Sequence, residues 1–185
     1  MKVVNLHAEL NTLIKKAQSQ DRVAQYRLYE QFSGKMLGAI RNYIRDTQYA
    51  EDVLQKAFCK AFLKLKSYEF KGSFEGWLRR IVVRESIDFL RQSKKMMIPT
   101  DSFDHQASEE NPMEEVKDVS HIEKCLDALP DGYKTVFCLY VLEDYKHKDI
   151  ANLLNIDVGT SKSQLYKARK MLKEKLEHHQ KQSSL

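Results

Sequence analysis

HKDIANLLNIDVGTSKSQLYKARKML, residues 147–172, is the stretch on which the reading of this chain turns. Apolar residues recur there at helical spacing in two groups, one over 148–154 and one from 158 onward, with only Asn155-Ile156-Asp157 between them. Two helices joined by so short a turn make a helix-turn-helix. Ala151 is small where the helices would cross. Asn155 stands where the chain must reverse and tolerates the left-handed backbone better than most residues. Ile150, Leu154, Ile156, Leu165 and Leu172 can form the small core. The second helix, predicted over 158–177, presents Thr160, Lys162, Ser163, Gln164, Tyr166, Lys167, Arg169 and Lys170.

Those side chains suit a nucleic-acid duplex. Hydroxyls and a helix N-terminus can meet phosphates. Gln164 could read adenine, and Lys162 or Lys167 could read guanine, in a major groove. An ordinary helical hairpin with a solvated basic helix is the competing reading.

Upstream, helical periodicity continues and no strand alternation or internal repeat stands out. Leu6, Leu10, Leu13, Ile14 and Ala17 mark a first amphipathic helix. Asp21 can cap a second, carrying Leu28, Phe32, Met36, Ile40 and Ile44. Asp46 or Thr47 can open a third, whose apolar face is Ala50, Val53, Leu54, Ala57, Phe58, Ala61, Phe62 and Leu65. Residues 67–72 (SYEFKG) read as a loop, after which Ser73 can cap a helix bearing Phe74, Trp77, Leu78, Ile81, Val82, Phe89 and Leu90. Arg80, Arg84, Arg91 and Lys95 on that helix fall within about 60° of one another. This basic stripe follows a loop holding Tyr68, Phe70 and Lys71. Rings on which bases stack, beside cations that track phosphates, are what single-stranded DNA binding requires. Trp77 can be core or base platform, and Asp88 can pair with Arg84 or Arg91 along the helix.

Charge divides the chain the same way. Residues 1–95 hold 19 Lys and Arg against 10 Asp and Glu, whereas 96–120 hold one against seven. The acidic stretch has Pro99 and Pro112 and little periodicity, and reads as a flexible linker. Ser120-x-x-Glu123 then has the form of a capping box opening a short helix, and Asp131 can cap the next, with Val136, Phe137 and Tyr140 on one face. The expected fold is therefore all-α. Two small helical domains, 1–95 and 120–178, are joined by a linker over 96–119 and followed by a polar tail over 179–185. Six Gly and three Pro in 185 residues agree with helices.

The three cysteines are scattered, which suggests neither a disulfide framework nor a metal site, and Cys59 and Cys138 read as core fillers. No apolar run is long enough for a signal peptide or a membrane span, so a cytoplasmic protein without membrane insertion is expected. A nuclease or recombinase would need clustered carboxylates, or a nucleophile among arginines. The six His are dispersed and no GxxxxGK[ST] loop occurs, so no catalytic residue, metal or cofactor is expected.

The segments AEDVLQKAFCKAF (50–62) and FEGWLRRIVVRESIDFL (74–90) resemble conserved region 2 of the extracytoplasmic-function (ECF) group of bacterial sigma factors. Residues 127–172 resemble their region 4, in the expected order. The resemblance implies a factor that directs core RNA polymerase to promoters and performs no chemistry of its own. It implies that Asp46, Glu51, Asp52, Gln55 and Phe58 lie on the helix that docks on polymerase, although acids near a helix start also stabilise the helix itself. The 67–73 loop and the helix after it, with Tyr68, Phe70, Lys71, Trp77, Arg80, Arg84 and Arg91, would open the −10 element and hold a flipped base. Thr160, Lys162, Ser163, Gln164, Tyr166, Lys167 and Arg169 would read the −35 element as duplex. An anti-sigma partner is implied as well. Two residues depart from the family pattern: Arg84 replaces a frequent Asn, and Ser161 replaces a frequent Val, which thins the helix-turn-helix core. A helix-turn-helix regulator that does not bind polymerase would account for 147–172 but not for the Trp-bearing basic helix.

Overall fold

The computed structural model describes residues 2–92 and 119–182, which fall into two units divided after Gln92. Among the described residues every regular element is a helix. The first unit consists of α1 (Lys2–Gln18), α2 (Arg22–Arg41), α3 (Thr47–Lys64) and α4 (Phe74–Gln92). α2, α3 and α4 start where short polar side chains satisfy otherwise orphaned amides. The Asp21 carboxylate accepts from the Val23 and Ala24 N–H groups, and Asp46 accepts from Tyr49. The Ser73 hydroxyl accepts from the Gly76 amide.

α2 packs against α1, α3 and α4, and α3 lies on α4. Ile14, Leu28, Met36, Ile40, Leu65, Leu78, Val82 and Ile87 fill the space between them and are fully buried. Each such side chain contributes about 1.5–3 kcal/mol by leaving water. Rings tie the layers together: Phe32 meets Phe74 edge-on at 5.3 Å, and Tyr29 meets Phe58 at 4.8 Å.

The second unit consists of α5 (Val119–Asp127), α6 (Asp131–Phe137), α7 (His147–Leu154) and α8 (Val158–Gln182). α6 runs on into a π-helical turn, Cys138–Leu142. α5, α6 and α7 all pack on α8. Val136, Leu139, Ile150, Leu154, Leu165, Ala168 and Leu172 form the core.

Several local expectations are corrected. Cys59 is exposed, because the buried stripe of α3 runs through Ala57, Phe58 and Ala61 and turns position 59 outward. Cys138 is buried, and burial pushes its thiol up to about 12, so it remains a protonated packing group. Asp131 is not a cap: Pro130 holds that place with no side-chain bond, and Asp131 lies in the first turn. Ser67 closes a 3₁₀ turn, Leu65–Ser67, instead of opening the loop. Ile156 is only half-buried. α8 continues to Gln182, past the expected end near 177, since no Gly or Pro interrupts it after Gly159. The linker expected over 96–119 lies outside the described residues except for Val119, which opens α5. Lys95 and the side chains of the Ser120–Glu123 capping box also lie outside them.

Candidate nucleic-acid interface

Two separate surfaces carry the residues singled out for nucleic acid, one on each unit. On the first unit the chain leaves the 3₁₀ turn at Leu65–Ser67 and reaches α4 through residues 68–73. Tyr68 is 5% exposed and forms the floor of this loop. Its ring meets Phe70 at 5.0 Å, Phe74 at 5.4 Å and Trp77 at 5.5 Å, while its hydroxyl donates to the Gly72 carbonyl at 2.9 Å. Tyr68 therefore shapes the loop, and its buried ring offers no face for a base, contrary to expectation. Phe70 and Trp77 are half-buried and retain accessible ring surface. Trp77 stacks on Phe74 at 5.6 Å, so it is at once an anchor and a platform.

The loop is held in an uncommon backbone shape. Phe70 has φ 61° and Gly72 φ 85°. A left-handed Phe is disfavoured unless its surroundings impose that conformation. From α1 the Gln18 side-chain amide donates to the carbonyls of Leu65 and Tyr68, each at 3.0 Å. The Lys15 ammonium sits 5.7 Å from the Phe70 ring centroid. Lys71 pairs with Glu69 at 2.7 Å; both are exposed, and such a pair is weak enough to open toward a phosphate.

Along α4, Arg80, Arg84 and Arg91 are exposed as the spacing predicts, and Asp88 lies 4.0 Å from Arg91. The opposite face holds a feature the sequence reading missed. Glu85 is 4% exposed, and its carboxylate accepts from Lys60 of α3 at 2.6 Å, with Lys56 at 3.8 Å. An acid inside the apolar stripe of α4 was visible as an anomaly, but its partners 25 and 29 positions upstream were not.

On α3, Asp46 is the cap, and Glu51, Asp52 and Gln55 are exposed. Phe58 is 3% exposed, packed between Tyr29 and Phe62, and so is not presented to a partner as expected. Its position on the inward stripe of α3 decides this.

On the second unit, Asn155 takes the left-handed conformation (φ 56°, ψ 52°) and its N–H donates to the Ala151 carbonyl, ending α7 as predicted. Lys162, Tyr166, Lys167, Arg169 and Lys170 are exposed on α8, and Thr160 and Ser163 are half-buried. Gln164 is 4% exposed and turned inward, its Oε1 without a hydrogen-bond partner. The expectation that it reads adenine is therefore corrected: a buried amide offers no edge to a groove.

Ser161 is completely buried, and its hydroxyl lies 2.9 Å from Nδ1 of His147. The position expected to thin the core instead joins the first residue of α7 to α8. The His147 ring stacks on Tyr140 at 4.6 Å, and the Arg169 guanidinium lies 5.7 Å from the Tyr140 ring centroid. Lys167 stands 6.0 Å from the Tyr133 ring centroid. These two rings lie against Lys167 and Arg169 of α8.

Among the described residues no group of three His, Cys, Asp or Glu is placed to hold a metal ion, and no helix is long and apolar enough to cross a membrane.

Comparison with known proteins agrees with this two-part layout. The family model described as "Sigma-70 region 2" matches residues 28–96, and "Sigma-70, region 4" matches residues 121–172. The chain is 30% identical over 132 residues to the RNA polymerase sigma factor SigV of Bacillus subtilis, covering 71% of this chain and 78% of that one. It is 26% identical over 149 residues to the ECF RNA polymerase sigma factor SigM of the same organism, covering 79% and 91%. Among solved structures it is similar in fold to the sigma factor RpoE of Bartonella quintana, solved in complex with the anti-sigma factor NepR. The TM-score is 0.52 at 21% identity, over 82% of this chain and 96% of that one.

Proposed function

The chain belongs to the ECF group of the sigma-70 family of RNA polymerase sigma factors, and on that premise we propose how its two units divide promoter recognition. A sigma factor directs core RNA polymerase to promoters and starts transcription there. In this chain the first unit opens the −10 element and holds the unpaired strand. Phe70 and Trp77 offer ring faces, and Arg80, Arg84, Arg91 and Lys71 offer cations to phosphates. The second unit reads the −35 element as duplex with Lys162, Tyr166, Lys167 and Arg169 of α8, while Thr160 and Ser163 meet phosphate near its start. The exposed Glu51, Asp52 and Gln55 of α3, next to the Asp46 cap, face polymerase.

The observation that carries this reading is the loop at 68–73. It leaves two half-buried rings beside an exposed arginine stripe, on the unit that matches region 2. A helix-turn-helix regulator without polymerase would need neither that loop nor that match.

The family is not one of catalytic enzymes, and in this reading the chain makes and breaks no bonds; polymerase does. It works in the cytoplasm, where polymerase and chromosome meet. A solved relative is bound to an anti-sigma factor, and a protein of that class is the regulator proposed for this chain.

Run-off transcription with core polymerase on genomic promoter fragments, with and without this protein, tests the proposal. Specific transcripts that depend on the protein are expected. Failure of the purified chain to associate with core polymerase would overturn it in favour of a simple regulator.

A further inference from the structure

We propose that α1 is part of the single-strand site, with Gln18 as a positioning residue that holds the 65–73 loop in its base-accepting shape and Lys15 as a cation at the loop's lip. The inference rests on the −10 role proposed for that loop. It adds residues that the region 2 match, which begins at residue 28, does not include.

Gln18 spends its amide NH₂ entirely on the loop. Its NH₂ has two hydrogens, and it has two acceptors at 3.0 Å, the carbonyls of Leu65 and Tyr68. The Leu65 carbonyl also accepts from the Tyr68 N–H at 3.1 Å, closing the 3₁₀ turn, and the Tyr68 carbonyl lies just beyond that turn, where the helical hydrogen-bond pattern has ended. Two residues beyond the second one, Phe70 turns left-handed and sends its ring outward, half-buried. A conformation of that kind persists only when the surroundings over-determine it. Here they do so through Gln18 at one end and the Tyr68 hydroxyl bond to Gly72 at the other.

The support behind Gln18 is rigid. Ile14 and Ala17, on the inner face of α1, are fully buried. The Ala17 carbonyl near the end of α1 is tied down as well, because the Gln25 side chain donates to it at 3.3 Å. Lys15, one turn before Ser19 and exposed, lifts its ammonium to 5.7 Å from the Phe70 ring centroid. A base stacked on that ring brings its own phosphate near the same ammonium. Stacking and charge neutralisation then act on one nucleotide, the combination single-strand sites use.

The test uses holoenzyme on a promoter fragment that yields a wild-type transcript. It follows unpaired thymines by permanganate reactivity and, separately, holoenzyme binding to the fragment's isolated non-template strand. Gln18→Leu keeps the volume and removes both donors. It should slow opening about tenfold, as expected for two lost hydrogen bonds, with core-polymerase association near wild type. Gln18→Lys, which restores donors, should recover much of the rate. Lys15→Ala should lower the salt slope of single-strand binding by about 0.7, one phosphate contact, and Lys15→Arg should not.

Opening at the wild-type rate in Gln18→Leu, or an equal loss of polymerase association and opening, would overturn the positioning role. An unchanged salt slope in Lys15→Ala would overturn the cation role. If wild-type holoenzyme opens no promoter at all, the proposed function falls first and this inference with it.

Discussion

Nδ1 of His147 and the hydroxyl of Ser161 lie 2.9 Å apart, joining the first residue of α7 to the fourth of α8 across the helix-turn-helix. Burial lowers the His147 pKa from its ordinary 6.5, and the nearby cations Lys162 and Arg169 lower it further. A histidine whose folded pKa is depressed binds its proton more readily when unfolded. Its contribution is therefore complete well above 6.5 and is lost as pH falls through 6.5 toward the lower folded value. Urea unfolding at pH 7.5 and pH 5 should show wild type losing more stability on acidification than His147→Gln. A gap between the two proteins that does not change with pH would contradict the assignment. Ser161→Ala should cost about 1 kcal/mol at neutral pH, one net hydrogen bond.

The Glu85 carboxylate depends on α3 for its charge partner. Lys60→Met leaves it with Lys56 at 3.8 Å and should destabilise the first unit by about 1–3 kcal/mol, the range for a charged hydrogen bond at a buried acceptor. Replacing both partners, Lys60→Met with Glu85→Met, should recover most of that loss, because the buried carboxylate and its desolvation are then gone. Denaturant midpoints of the two variants and wild type decide the matter; a double variant no better than the single one would refute it.

Gln164 and Lys162 stand two positions apart on α8 with opposite exposure. Lys162→Ala should weaken −35 duplex binding and reduce the salt slope by about one. Gln164→Leu should leave promoter choice intact and hold or raise stability, since its buried Oε1 has no partner to lose. Altered sequence preference in Gln164→Leu, measured by selection from a randomised −35 library, would return that side chain to the groove.

Phe70→Ala removes the accessible ring at the loop tip. Opening, followed by permanganate reactivity, should fall more than closed-complex affinity, by about 1–3 kcal/mol for one lost stacking partner. Equal losses in both would show that the ring serves the fold alone.

Periodicity, caps and the αL turn at Asn155 were readable in the amino-acid order because each depends on residues within one or two turns. The all-α layout, the helix-turn-helix and the Arg80, Arg84 and Arg91 stripe are of this local kind. So is the choice of exposed face on α3 for Glu51, Asp52 and Gln55. Tertiary packing alone decided which of the candidate side chains remain available. Tyr68, Phe58 and Gln164 carry suitable chemistry at suitable spacing, yet each is turned inward where neighbouring helices close over it. Packing alone also revealed the ties of Gln18 to the loop, of Lys60 to Glu85 and of His147 to Ser161. Helical spacing specifies an angle around one axis. Burial and pairing depend on where other axes lie, and residues 14 to 50 positions apart become neighbours only after the chain has folded.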